Sequence, residues 1–133
     1  MKTSREKPQM YDLLHQKFGI DWDRGTAITI KDTVYSKFPL APDVEVHEQV
    51  HLEQQNNPKY ISFEVWLARY FDEPEFRLEQ EVEAYQAQVK FIRTSMNLTR
   101  NERRFKISNL AKTLASGMYG FVLTYQKALD LIS

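Results

Sequence analysis

The chain has no cysteine, so neither a disulfide nor a thiolate metal site is open to it. It has no net charge, with 18 basic and 18 acidic residues, and no long run of one sign. The electrostatic footprint of a nucleic-acid binder is therefore missing. The local group Arg100, Arg103, Arg104 and Lys106 reads as a solvated helix face. No apolar run approaches the length needed to cross a bilayer, and the first residues lack the apolar segment of a signal peptide. The expectation is a cytoplasmic chain without membrane or nucleic-acid partners, with a virion-associated place as the alternative. Repeats and low-complexity segments are also missing.

What is present fits one domain spanning residues 1–133. The length suffices for one core, and 42% hydrophobic with 27% charged residues is ordinary globular composition. The hydrophobic spacing is mostly helical. Pro8 to Gly19 suits a helix, with Pro in its first turn and Gly at its C-terminal cap. His15 lies on it without a partner motif. Met1 to Lys7 reads as a polar, frayed end. Ala27–Ile30 and Thr33–Lys37 are β-branched and aromatic runs around Lys31-Asp32, which predicts a hairpin. It is either a stabilising ribbon or a strand whose edge takes an extended peptide. Trp22 is expected to pack on the core.

Pro42 and Asp43 start a helix that Asn56-Asn57-Pro58 stops. Two of the three histidines lie on it, in His47-Glu48-Gln49-Val50-His51. Residues i and i+4 of a helix share one face, so both imidazoles can bind one Zn²⁺. Glu48 stands about 100° around the axis from His47 and can take a proton from a water activated by the metal. Gln54, two turns after His47, returns to the same side as a candidate hydrogen-bond partner of the site.

Tyr60–Phe71 forms an aromatic helix face capped by Ser62, and Phe76–Met96 a long helix with Leu78, Val82, Tyr85, Val89, Ile92 and Met96 on one side. The long helix carries the candidates for a third ligand. Arg77, Glu81, Ala84, Tyr85 and Gln88 share a face, whereas Glu79 and Glu83 rotate away. Arg77 is placed to pair with Glu81 and orient it. Ala84 is small enough for the two helices to approach closely.

The motif HExxHxxQ, followed by an aromatic helix and then Arg77-Leu-Glu-Gln-Glu81-Val-Glu83-Ala84-Tyr85, resembles the zincin metallopeptidases of the gluzincin type, particularly small bacterial and phage zincin-like proteins. In those a second helix supplies the third ligand as Glu in an E-x-x-A pattern. Glu81–Ala84 matches, with Tyr85 where many members carry Asp. The likeness covers roughly residues 26–88. A metzincin is excluded, because Gln54 and Asn57 stand where that group has Gly and His.

Thr99-Arg-Asn-Glu102 fits a capping box for a helix running to about Ser116. Gly117–Gly120 reads as a loop with two hinges, and Thr124 caps a last helix. Tyr119, Tyr85 and Tyr35 are candidate hydroxyl donors to an oxyanion. Together these features predict an α+β fold, mostly helical with a small β ribbon. The resemblance implies a metallopeptidase with one Zn²⁺ on His47, His51 and Glu81, Glu48 as general base, and a peptide or protein as substrate. The second reading is a zincin-like structural or assembly component, as in a virion, with a structural or vestigial zinc site.

Overall fold

Helices dominate the computed structural model, which describes residues 1–116, 119–120 and 122–133. Among the described residues the order is β1 (Lys2–Ser4), α1 (Tyr11–Phe18), β2 (Ile28–Ile30), β3 (Thr33–Tyr35), α2 (Pro42–Gln55), α3 (Phe63–Asp72), α4 (Pro74–Ser95), α5 (Arg100–Leu114) and α6 (Tyr125–Ile132). This is the expected α+β fold. No helix is long and apolar enough to cross a membrane.

The hairpin forms around Lys31-Asp32 with Ile30 opposite Thr33. Lys31 takes φ 59°, the left-handed conformation a two-residue hairpin asks of its first turn residue. The N-terminus corrects the expectation of fraying. Lys2–Ser4 pairs in parallel with Thr33–Tyr35, giving the sheet order β1-β3-β2. A polar three-residue segment carries little periodicity, and only the partner strand makes it a strand. That partner also leaves β2 at one edge of the sheet.

The first helix begins at Tyr11 rather than Pro8, with Met10 in the cap position. It ends where predicted, at Gly19 with φ 69°, whose N–H donates to the His15 carbonyl. Ser62, Thr99 and Thr124 each cap as expected, and Thr99 with Glu102 completes the capping box. The α5 helix stops two residues short of the predicted end. Gly117 and Met118 of the predicted hinge loop lie outside the described residues.

Two apolar clusters flank the α2–α4 pair. One joins α4, α5 and α6 through Val89, Ile92, Ile107, Ala111, Leu114, Ala128 and Ile132. Full burial of its Val, Leu and Ile side chains contributes about 1.5–3 kcal/mol each. The other packs Leu14, Phe18, Trp22 and Ile28. Trp22 is buried as predicted.

The long helix departs from its apolar pattern. Leu78, Val82 and Met96 are only partly buried, while Arg77, Gln80, Glu81 and Gln88 are buried. This buried polar face carries Glu81 and Gln88 toward the α2 histidines. Ala84 lies on it with no exposed surface, which lets the two backbones approach.

Candidate metal centre

His47 and His51, one turn apart on α2, place their Nε2 atoms 3.1 Å from each other. Glu81 reaches across from α4, with Oε1 3.2 Å from His47 Nε2 and Oε2 3.0 Å from His51 Nε2. These three side chains form a group able to hold a metal ion. All are buried. Glu83 and Glu79 face solvent, as the helical geometry predicts.

The hydrogen bonds behind the imidazoles fix their protonation. His47 Nδ1 meets Gln88 Oε1 at 2.9 Å, and Gln88 Nε2 donates to Asp43 Oδ2 at 2.8 Å. His51 Nδ1 meets Gln54 Oε1 at 2.9 Å, and Gln54 Nε2 donates to the Gln80 carbonyl at 3.0 Å. A carboxylate and a carbonyl only accept, so each amide must turn its NH₂ toward them and its oxygen toward the histidine. Each Nδ1 therefore carries a proton and donates it. In a neutral imidazole that leaves Nε2 bare. Two bare nitrogens and a carboxylate then converge, an arrangement that repels itself unless a cation lies among them.

The donor set fits zinc. Two imidazoles and one carboxylate are a known hydrolytic ligand set, and four-coordinate bonds of about 2.0–2.2 Å set ligand atoms roughly 3.3–3.5 Å apart. The observed separations of 3.0–3.2 Å are slightly shorter than that. In the metal-free chain a proton takes the cation's part. Burial disfavours a charged His51, but the attraction of Glu81 and their hydrogen bond push its pKa up to about 9. Burial likewise opposes ionisation of Glu81, and the charge of His51 with hydrogen bonds from both imidazoles holds it well below the usual carboxylate range.

Two tyrosines hold Glu81 from behind. Tyr70 donates to Oε2 at 2.7 Å and Tyr119 to Oε1 at 3.2 Å. Tyr85 lays its ring edge-on to His47, with centroids 4.5 Å apart, and its hydroxyl lies 3.3 Å from that of Tyr119. Burial, and after it the negative charge of Glu81, raises all three hydroxyls above their ordinary pKa, so they stay protonated donors.

Arg77 is placed differently from expectation. It makes no ion pair with Glu81 among the described residues. Its Nη1 donates to the Tyr70 carbonyl at 2.7 Å, and the guanidinium lies 4.8 Å from the Phe18 ring centre. Arg77 therefore fixes the residue whose hydroxyl fixes Glu81. His15 is remote in role. Its Nδ1 bonds the Ile20 carbonyl at the surface. Of the basic group on α5, Lys106 reaches Asp43 at 3.9 Å. Arg100 and Arg104 are exposed.

Glu48 is buried beside the three, and its Oε2 accepts from Thr29 Oγ1 at 2.6 Å. A cavity of about 320 Å³ opens onto this carboxylate. Glu48, His47, His51 and Glu81 line one part of it. Apolar residues such as Leu14, Ile28, Ile30, Trp66 and Leu67 line the rest, together with Tyr85 and Tyr119. Tyr35 is not among its lining residues.

Sequence reasoning missed three residues of this site. Gln88 lay on the chosen face, seven residues after Glu81, yet received no role. Tyr70 sits in an aromatic run whose spacing signals packing, and Thr29 in a β-branched run that signals only a strand. Helical spacing carried a signal for Gln88 alone.

Fold and site thus define a mostly helical α+β protein with a buried His-His-Glu group and an adjoining carboxylate at a cavity. No family model, curated protein or solved structure matches the chain.

Proposed function

We propose that this chain is a zinc-dependent, zincin-like peptidase that hydrolyses peptide bonds. The observation that carries the reading is the convergence of the His47 and His51 Nε2 atoms and the Glu81 carboxylate, with Glu48 held beside them at a cavity. Three protein ligands are the number of a hydrolytic zinc site, and a structural site usually has four. Among the described residues the group holds three.

Zinc held by His47, His51 and Glu81 would supply Lewis acidity and make a water more acidic. The chain's own residues then do the following. Glu48 takes the water proton on its carboxylate and later gives it to the departing amine. Thr29 holds Glu48 by one oxygen and leaves the other for that proton. Gln88 and Gln54 keep both histidines in the tautomer that presents Nε2. Tyr70 and Tyr119 keep Glu81 in place. The apolar wall excludes water around the reacting bond and gives an uncharged side chain a place to rest.

The assay is incubation of zinc-loaded protein with a diverse peptide library, read by mass spectrometry. Fragments at defined bonds are the expected result. Zinc-loaded protein that cleaves nothing across a wide library would move the reading toward the structural or assembly role. In this proposal residues 1–133 act as one domain.

A positioning prediction follows from the amide orientation. Gln88→Leu keeps the bulk and removes the acceptor of the His47 proton. Zinc affinity should fall about 10–100-fold in competition with a chromophoric chelator. Unchanged affinity would show that Gln88 does not set the His47 tautomer.

A further inference from the structure

The outer edge of β2 is half closed by a side chain. With Lys31-Asp32 as a two-residue turn, Ile30 and Thr33 form the hydrogen-bonded pair, and Ile28 with Tyr35 the next one. Ala27, Thr29 and Lys31 therefore turn their backbone groups away from β3. The Thr29 carbonyl accepts from Gln55 Nε2 at 2.8 Å, and the Lys31 N–H donates to Gln55 Oε1. Asn56 Nδ2 takes the Lys31 carbonyl at 2.9 Å. The Gln55 amide thus occupies the edge as one peptide unit of a further strand would. It is 4% exposed, and it lies seven residues after Glu48, on the same side of α2. Beyond it, Ala27 and Thr29 line the cavity that holds Glu48.

We infer that an extended peptide adds to this edge only from Ala27 to the Thr29 N–H, and that Gln55, which takes the Thr29 carbonyl, stops it there. The inference rests on the peptide-hydrolysis reading and names its substrate: a chain end. Main-chain pairing at a sheet edge is a general mode of peptide recognition. Antiparallel pairing is the commoner geometry and runs the peptide opposite to β2. Residues on the amino side of the reacting bond then approach Lys31, where the edge groups are already taken. Thr29 also holds Glu48, so the bond to be cut lies close to the stop. Only a short amino-terminal stub fits, and the carboxyl side continues past Ala27. The protein trims short pieces from amino ends and does not cut within long segments.

The test uses zinc-loaded wild type and two series of peptide hydroxamates as probes. One series carries its residues on the amino side of the chelating group and the other on the carboxyl side. Binding is read by calorimetry, without any need for turnover. In the amino-side series affinity should drop about tenfold once the peptide exceeds roughly two residues, the loss of edge pairing. The carboxyl-side series should tolerate extension. Gln55→Ala should remove the drop, and the wild-type comparison stands even where that variant folds poorly. Equal tolerance of both series, restriction of the carboxyl-side series instead, or no binding of either probe to zinc-loaded protein overturns the inference. Hydroxamate binding in this pattern by a protein that cleaves no peptide would sink the peptidase reading and leave the edge stop standing.

Discussion

Glu48→Gln is expected to lower peptide cleavage by about 10²–10⁴ while the protein keeps its zinc, the loss typical of one general base. The substitution preserves size and leaves an amide oxygen to accept from Thr29 Oγ1, which now lies 2.6 Å from the carboxylate. It removes only the basicity. Glu48 is not one of the three converging ligand atoms, so the metal group should be undisturbed. The check is equal amounts of zinc-loaded wild type and variant on the same peptide library, with metal content measured on both. Equal cleavage would contradict the general-base role. Loss of metal from the variant would mean that Glu48 belongs to the ligand set.

The second large effect is on stability. Zinc on His47, His51 and Glu81 would tie α2 to α4, which carry two ligands and one ligand respectively. Binding free energy then becomes folding free energy. At a metal concentration about a thousandfold above Kd the gain is roughly 4 kcal/mol. For a chain of this size that is on the order of 10 °C in Tm, and a chelator should remove it.

The pH dependence gives this effect a sign. In the metal-free chain the pKa of His51 rises from 6.5 to about 9 on folding. A raised histidine contributes stability that is full below 6.5 and lost as pH climbs through 9. Metal binding must displace that proton and so strengthens over the same window. The melting difference between zinc-bound and chelated protein should therefore widen from pH 6 to pH 9. A constant difference, or no difference once zinc is shown to be gone, would contradict the link between metal and fold.

The site was legible where helical geometry decides. Glu81 is reached through the gluzincin resemblance together with its face on α4, and His47 and His51 share a face through i,i+4 spacing. Gln54 returns to His51 for the same reason. The hairpin and the caps at Ser62, Thr99 and Thr124 are local chemistry, and they formed as read. What was not legible depends on contacts between distant segments. Strand β1 exists because β3 accepts it. Arg77 could bond Glu81 or the Tyr70 carbonyl with equal ease from sequence, and packing of α3 against α4 chose the latter. Of the apolar positions predicted on α4, Tyr85, Val89 and Ile92 are buried and Leu78, Val82 and Met96 only partly, while the polar face with Glu81 and Gln88 is buried as well. A polar group buries without penalty only when each donor and acceptor is matched, and those matches are not written in periodicity. Thr29 and Gln55 show the same limit, since their meeting joins β2 to α2 across 26 residues of sequence.

The most direct test of the central claim is metal analysis of three proteins purified in zinc: wild type, Glu81→Ala and Glu83→Ala. Glu81 is buried between the imidazoles, 3.0 Å from His51 Nε2, and Glu83 is exposed two residues along the same helix. The account predicts one zinc per chain in wild type and in Glu83→Ala, and its loss in Glu81→Ala. Zinc retained by Glu81→Ala, or absent from the wild type, would contradict it.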